Sequence, residues 1–288
     1  LKKFKKVFST ILKVGVSVLL LYLVFRKVPF AEVWELIKKS NLFFLFLALF
    51  AFIISQILSS QRLLFYFFAH HFQLKSVHNF KLYLVGMFYN FFIPGGIGGD
   101  AYKVYLLNKR FGWNIKKLSS AVLCDRFSGL LAIVLLLEVL SITIFDGFWK
   151  LLILPAIIVT IVAARFIFAK IFPTYKSIYF KTILLSLAVQ TMQLVCIYFI
   201  LRSFSTVQEV WIYWSVFLMS SVLSIISFSG IGVREWLFMQ ASHFFNFNTG
   251  VSVSTAMIFS FLTALVSLFG IAFELKGLKL EEECSTGV

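Results

Sequence analysis

The sequence predicts an all-α polytopic membrane protein with about six full transmembrane helices and two re-entrant broken-helix hairpins in an inverted repeat. Three observations predict it. First, 60% of the 288 residues are hydrophobic and only 14% are charged, where a soluble protein is about half apolar and about a quarter charged. The apolar residues fall in blocks of about 20, enough for a helix to cross ~30 Å of hydrocarbon. Second, lysine and arginine gather between the blocks, as the positive-inside rule requires. Third, two apolar stretches break at glycine-rich centres, Pro94-Gly95-Gly96-Ile97-Gly98-Gly99 and Ser227-Phe228-Ser229-Gly230-Ile231-Gly232. Broken backbone at membrane depth is tolerated only where protein buries it or a cavity solvates it.

Taken in order, Lys2, Lys3, Lys5 and Lys6 precede a first span over residues 9–25. This stretch resembles a signal peptide in outline, but its apolar core is long and lacks a small-residue cleavage pattern before Arg26, so it reads as a retained span. An amphipathic piece, Ala31–Lys39, leads to span 2 over 42–69. A loop with Lys75 and Lys81 precedes the first broken hairpin, 82–108. Lys109, Arg110, Lys116 and Lys117 then introduce span 3, 118–145. Span 4 covers 149–169, span 5 covers 182–201, and the second interrupted segment covers 210–245. Span 6 covers 250–273, and a charged tail follows.

If the N-terminus is cytoplasmic and both interrupted segments return to the side they came from, the basic loops around 75–81, 109–117, 170–181 and 276–279 all fall inside. The C-terminus is then cytoplasmic as well, and the location is a bacterial or archaeal cytoplasmic (inner) membrane. One membrane domain fills residues 1–288, divided into a first half, 1–147, an inverted second half, 148–276, and a flexible C-terminal tail, 277–288. Gly96-Ile97-Gly98 aligns with Gly230-Ile231-Gly232. The polar stripe Ser55, Ser59, Arg62, spaced i, i+4, i+7, repeats as Ser186, Gln190, Gln193. Paired broken segments in two inverted halves mark the binding site of many transporters, although small residues also serve helix packing.

The net charge of +15 does not indicate nucleic acid, because the basic residues sit in the loops. Cys124, Cys196 and Cys284 are odd in number and far apart, and His70, His71, His78 and His243 lack metal spacing, so no disulfide framework or metal site is expected. Gly96-x-Gly98-x-x-Ala101 imitates a dinucleotide fingerprint, but its flanks are apolar helix rather than a βαβ unit. No catalytic residue and no cofactor is assigned.

The candidate substrate-binding residues follow from the two breaks and from the charges inside spans. Gly95, Gly96, Gly98, Gly99, Gly230 and Gly232 would let backbone N–H groups and a positive helix end face an anionic head group. Asp100 fits equally an N-cap or a residue ordering the turn and pairing with a cation. Lys103 fits a phosphate contact or a chain snorkelling to the interface. Asp125 and Arg126 lie about two turns into span 3, where ionisable groups usually face a bundle interior or a wet cavity. They could pair with each other, or Arg126 with Asp100. Arg62 lies deep in span 2, and its rigid fork of donors suits phosphate. Glu138 lies about 120° round the helix from Arg126 and reads as serving a separate environment or a neighbour. Arg234 and Glu235 follow the second break and fit either a local pair or substrate contact. Ser260, Thr263 and Ser267 make an uncharged polar face on span 6.

Three segments in order, Phe92-Ile93-Pro94-Gly95-Gly96-Ile97-Gly98-Gly99-Asp100-Ala101-Tyr102-Lys103, Asp125-Arg126-Phe127-Ser128-Gly129-Leu130 and Gly230-Ile231-Gly232-Val233-Arg234-Glu235, resemble the lysylphosphatidylglycerol synthase transmembrane-region (flippase-like) family. Ser229 stands where that family often has proline, and Asp125 where it often has glutamate. The resemblance implies lipid translocation, since in bifunctional members this region moves an aminoacylated phospholipid that a separate soluble domain makes. Other members are linked to polyprenyl-phosphate glycosylation. The expected function is therefore a translocase for a membrane phospholipid or polyprenyl-linked lipid, with the anionic head group held between the two hairpins. The alternatives are a membrane-embedded transferase on lipid-linked donors, with Asp100 or Asp125 as base, and a non-catalytic lipid-binding subunit. Expected protein partners are a second copy of the chain or a separate lipid-synthesising enzyme.

Overall fold

The computed structural model describes residues 35, 37–92, 98–143, 147–205, 209–223, 233–278 and 280–281. The expected first span, 9–25, and the tips of both broken segments, with Gly95, Gly96, Gly230 and Gly232, lie outside the described residues. All regular structure among the described residues is helical. In chain order the helices are α1 (Leu42–Phe68), α2 (Ser76–Phe92), α3 (Gly98–Phe111), α4 (Ile115–Ser141), α5 (Phe148–Ile171), α6 (Tyr179–Ser203), α7 (Val210–Leu223), α8 (Val233–Phe244) and α9 (Thr249–Leu275). A 3-10 turn, Pro173–Ile178, leads into α6.

Five of these helices are long and apolar enough to cross a membrane: α1, α4, α5, α6 with its 3-10 turn, and α9. They match the expected spans 2 to 6, and the protein is a polytopic all-α membrane protein. Asparagine N-caps set three starts. Asn41 Oδ1 accepts from Phe43 N, Asn114 Oδ1 from Lys116 and Lys117 N, and Asn248 Oδ1 from Val251 N. Each satisfies backbone donors that a helix start leaves open. The Asn114 cap places the start of α4 at Ile115, ahead of the expected 118, so Lys116 and Lys117 lie in its first turn.

Of the helices flanking the breaks, the described residues include 17 in α2, 14 in α3, 14 in α7 and 12 in α8. α2 packs on α3, and α7 on α8. The α2–α3 crossing is close because a Cβ on Gly99 would overlap the Gly86 carbonyl oxygen. α9 crosses α2 equally closely, since a Cβ on Gly270 would overlap the Leu84 carbonyl oxygen.

The largest interface joins α1 to α6. The two run antiparallel, with Asn41 N donating to Ser203 O at one end. Around them the helix contacts repeat under one exchange: α1 for α6, α2 for α7, α3 for α8, α4 for α9. The pair α1/α2 answers to α6/α7, α2/α3 to α7/α8, α3/α4 to α8/α9 and α1/α4 to α6/α9. The pairs α2/α9 and α4/α6 answer to α4/α7 and α1/α9.

Two apolar clusters form the interior. One joins Ala48, Ala51 and Phe52 of α1 to Ile197 and Leu201 of α6, Phe217 of α7 and Phe259 of α9. The other joins Leu63 and Phe67 of α1 to Phe72, Leu82, Leu107, Leu118, Tyr175 and Leu280. Between them α1 buries only polar groups, Ser55, Gln56, Ser59, Ser60 and Arg62. Beyond α9 the chain folds back. Leu280 is 2% exposed, Glu281 N donates to His78 Nδ1, and Lys75 Nζ meets a Glu281 carboxylate oxygen at 2.8 Å. Leu280 thus packs in the second apolar cluster.

Candidate functional site

The buried charges of the first half fall into two networks that meet on α4. In the first, Arg62 donates from Nε to Asp125 Oδ1 at 2.7 Å and from Nη2 to Asp125 Oδ2 at 3.1 Å. Its Nη1 donates to Ser186 Oγ at 2.9 Å. One guanidinium therefore ties α1, α4 and α6 together with a bidentate fork, the strongest geometry available to arginine. The space comes from Gly129, whose missing Cβ would stand 3.3 Å from Arg62 Nη1. Ser128, one residue earlier, spends its hydroxyl on the Asp125 carbonyl oxygen.

In the second network, Asp100 is the third residue of α3. Its Oδ1 accepts from Lys103 Nζ at 2.9 Å, and its Oδ2 accepts from Arg126 Nε. Lys103 also lies with its ammonium 4.6 Å from the centre of the Tyr83 ring. Asp100 and Lys103 are buried, whereas the Arg126 side chain remains 30% exposed. The N-cap reading of Asp100 gives way to this pairing. Its place is taken by Asn90 of α2, whose Oδ1 accepts from Gly99 N at 2.8 Å. Asp125 and Arg126 do not pair with each other either. Successive helical side chains diverge by about 100°, so Asp125 turns to α1 and Arg126 to α3. Lys103 does not snorkel, since its ammonium is held within the protein.

Helix geometry gives the depth. Arg62 lies six residues before the end of α1, Asp125 ten after the start of α4 and Asp100 eleven before the end of α3. At 1.5 Å per residue these are roughly 9–16 Å from the helix ends. Those ends, with the loop carrying Lys75, share the second apolar cluster. Arg62, Lys103 and Arg126 against Asp100 and Asp125 leave one net positive charge among these five side chains.

The second half is built differently. Arg234 lies over the rings of Phe259 and Phe217, 4.6 and 5.4 Å from their centres. Its Nε is 3.4 Å from Ser220 Oγ. Ser260 of α9 donates to Glu235 at 2.9 Å. Arg234 and Glu235 join neither network of the first half through any described contact. Thr263 and Ser267 bond to their own helix, which is a packing role. Glu138 meets Thr160 of α5, whose hydroxyl donates to it at 2.6 Å, so it serves a neighbour.

Five residues escaped the reading of the sequence as site residues. Ser186 stood out only as part of a repeated stripe. Asn90, Gly86 and the Tyr102–Glu274 bond, 2.7 Å long, act across sequence distances that no local motif spans. Gly86 had one usable signal, a glycine within an apolar helical run.

No curated protein and no solved structure matches the chain. The family model described as the lysylphosphatidylglycerol synthase TM region matches residues 10–271. That match runs through both broken segments and four of the five described spans and into the fifth, so the chain belongs to the lysylphosphatidylglycerol synthase transmembrane-region family.

Proposed function

We propose that this protein translocates a membrane lipid, or a lipid-linked molecule, with an anionic head group. The observation that carries the reading is the net positive cluster of Arg62, Asp125, Asp100, Lys103 and Arg126 at membrane depth. Charges there are costly and concentrate on transport pathways. Arg126 is the member that combines exposure with a guanidinium suited to phosphate. A head group binding it would compete with Asp100, so binding and release couple to the position of α3.

The helix contacts that repeat under exchange of α1–α4 with α6–α9 support an inverted repeat with two re-entrant segments and rocking of one half against the other. The basic loops gathered round the second apolar cluster support a cytoplasmic position for that end, in a bacterial or archaeal inner membrane. A transferase would need a carboxylate free to act as base, whereas Asp100 and Asp125 are each held by cations.

The test is a fluorescent-lipid flip assay in proteoliposomes with anionic, zwitterionic and polyprenyl-phosphate lipids. The expected result is protein-dependent translocation of anionic lipid, lost in Arg126→Ala and reduced in Asp100→Asn. Wild type indistinguishable from empty liposomes with all three lipids overturns the proposal.

A further inference from the structure

No described contact joins Glu138 to the charged networks, although it lies on α4, twelve residues or about 18 Å beyond Arg126. Its Oε1 accepts from the Thr160 hydroxyl of α5 at 2.6 Å. Its Oε2 is buried and has no hydrogen-bond partner among the described residues. No described salt bridge includes it. The seam around it is apolar. Val134 and Ala164 line a cavity of about 310 Å³ between α4, α5 and α6, and Glu138 and Thr160 stand one turn further along the same two helices. On the outer side Val139 is 46% and Val159 64% exposed, with lipid beyond them.

The charged groups of the helices packed on α4 are engaged elsewhere. On α1 Arg62 holds Asp125, and on α3 Lys103 holds Asp100. Lys109 and Arg110 lie in the last turn of α3. On α6 Lys181 lies over Phe65 and Arg202 over Phe44. On α5 Arg165 lies over Phe180, while Lys150 and Lys170 stand ten residues, about 15 Å, either side of Thr160. α7 carries no charge. Of the tyrosines, Tyr198 lies against Phe199 and Tyr213 against Phe247.

We infer that Glu138 is a proton-binding site: its carboxyl group is neutral when α4 and α5 are packed, with the proton on Oε2, and loss of that proton parts the two helices. An ionised carboxylate in an apolar seam needs a cation or several donors, and Glu138 has one hydroxyl. The carboxylic acid needs less. Its carbonyl oxygen accepts from Thr160, and an unpaired O–H costs far less than an unpaired charge. α5 can respond, since it is the least buried of the five spans and its contacts are chiefly with α4 and the 3-10 turn. α4 carries Arg126 as well, so the seam is one attachment of the helix that presents the proposed lipid contact.

The experiment uses the full chain in nanodiscs. Infrared difference spectra compare wild type with Glu138→Gln, whose amide keeps the size and the Thr160 bond. At about pH 7, where an ordinary glutamate is ionised, wild type should show the carbonyl band of a protonated carboxyl that the variant lacks. The band should fade as pH rises. In a background with Cys124, Cys196 and Cys284 replaced, spin labels on Val139→Cys and Val159→Cys report the seam. Their dipolar coupling should weaken by about twofold as the band fades, and stay constant with pH in Glu138→Gln.

No band difference at about pH 7 means an ionised side chain and overturns the inference. A band that persists at every pH, or label coupling that ignores pH or follows it equally in both proteins, overturns it as well. Neither readout depends on lipid being moved, so failure of the flip assay overturns transport and leaves the proton site standing.

Discussion

Arg62 shows how much one side chain can hold in a membrane interior. Its three described bonds reach α4 and α6 from α1, and its partner Asp125 is buried. Removing the cation leaves a carboxylate with nothing to balance it. Arg62→Ala should therefore destabilise the protein by about 3–5 kcal/mol, read as a lowered melting temperature in detergent. Arg62→Ala/Asp125→Ala should recover part of that loss, since no lone charge stays behind, and a double variant no better than the single would refute the pairing argument. Gly129 belongs to the same residue-scale logic. Gly129→Leu pushes into the guanidinium and should mimic Arg62→Ala in direction, with a smaller loss.

Whole elements are governed by how closely helices approach and how loops are pinned. Gly99 and Gly270 allow α3 and α9 to touch α2 backbone to backbone, and Gly86 makes room for the Lys103 side chain. Gly270→Val should cost about 1–3 kcal/mol or more through overpacking, measured by thermal unfolding, while Gly112→Ala tests a different cause. Gly112 has open space around it but φ +70°, so its cost is backbone strain alone, about 1 kcal/mol.

The loop after α1 is pinned by His70, whose Nε2 lies 2.7 Å from the Tyr175 hydroxyl. Burial, then the positive charge of Lys117 and the neighbouring His71, lower its pKa from the ordinary 6.5. The folded protein thus binds this proton less readily than the unfolded chain. The stability it contributes is complete above pH 6.5 and is lost as pH falls through the window below that value. The melting temperature in detergent should drop as pH falls below about 6.5, and less steeply in His70→Gln. Equal slopes for the two proteins would remove His70 from the account.

At the scale of the molecule, two apolar clusters enclose a polar layer, and the helix contacts repeat under exchange of halves. The basic loops collect at one end. Single cysteines at Lys109 and Lys176, in a background with Cys124, Cys196 and Cys284 replaced, should react with a membrane-impermeant maleimide only after the cytoplasmic face is opened. A cysteine at Asn246 should react in intact cells. Labelling of Lys109 and Asn246 positions from the same side would break the proposed orientation.

Composition and periodicity were sufficient for the class and for the five described spans, because crossing hydrocarbon demands about 20 apolar residues in a row and leaves a mark in any window of that length. The intramembrane charges were legible for the same local reason. Which charge meets which was decided only by the packed structure. Asp125 and Arg126 are neighbours in the chain, yet helical rotation sends one to Arg62 of α1 and the other to Asp100 of α3. The cavity of about 310 Å³ between α4, α5 and α6 was equally hidden. Its walls are ordinary apolar residues of three spans, and a cavity exists only once helices distant in sequence are set at fixed distances from one another.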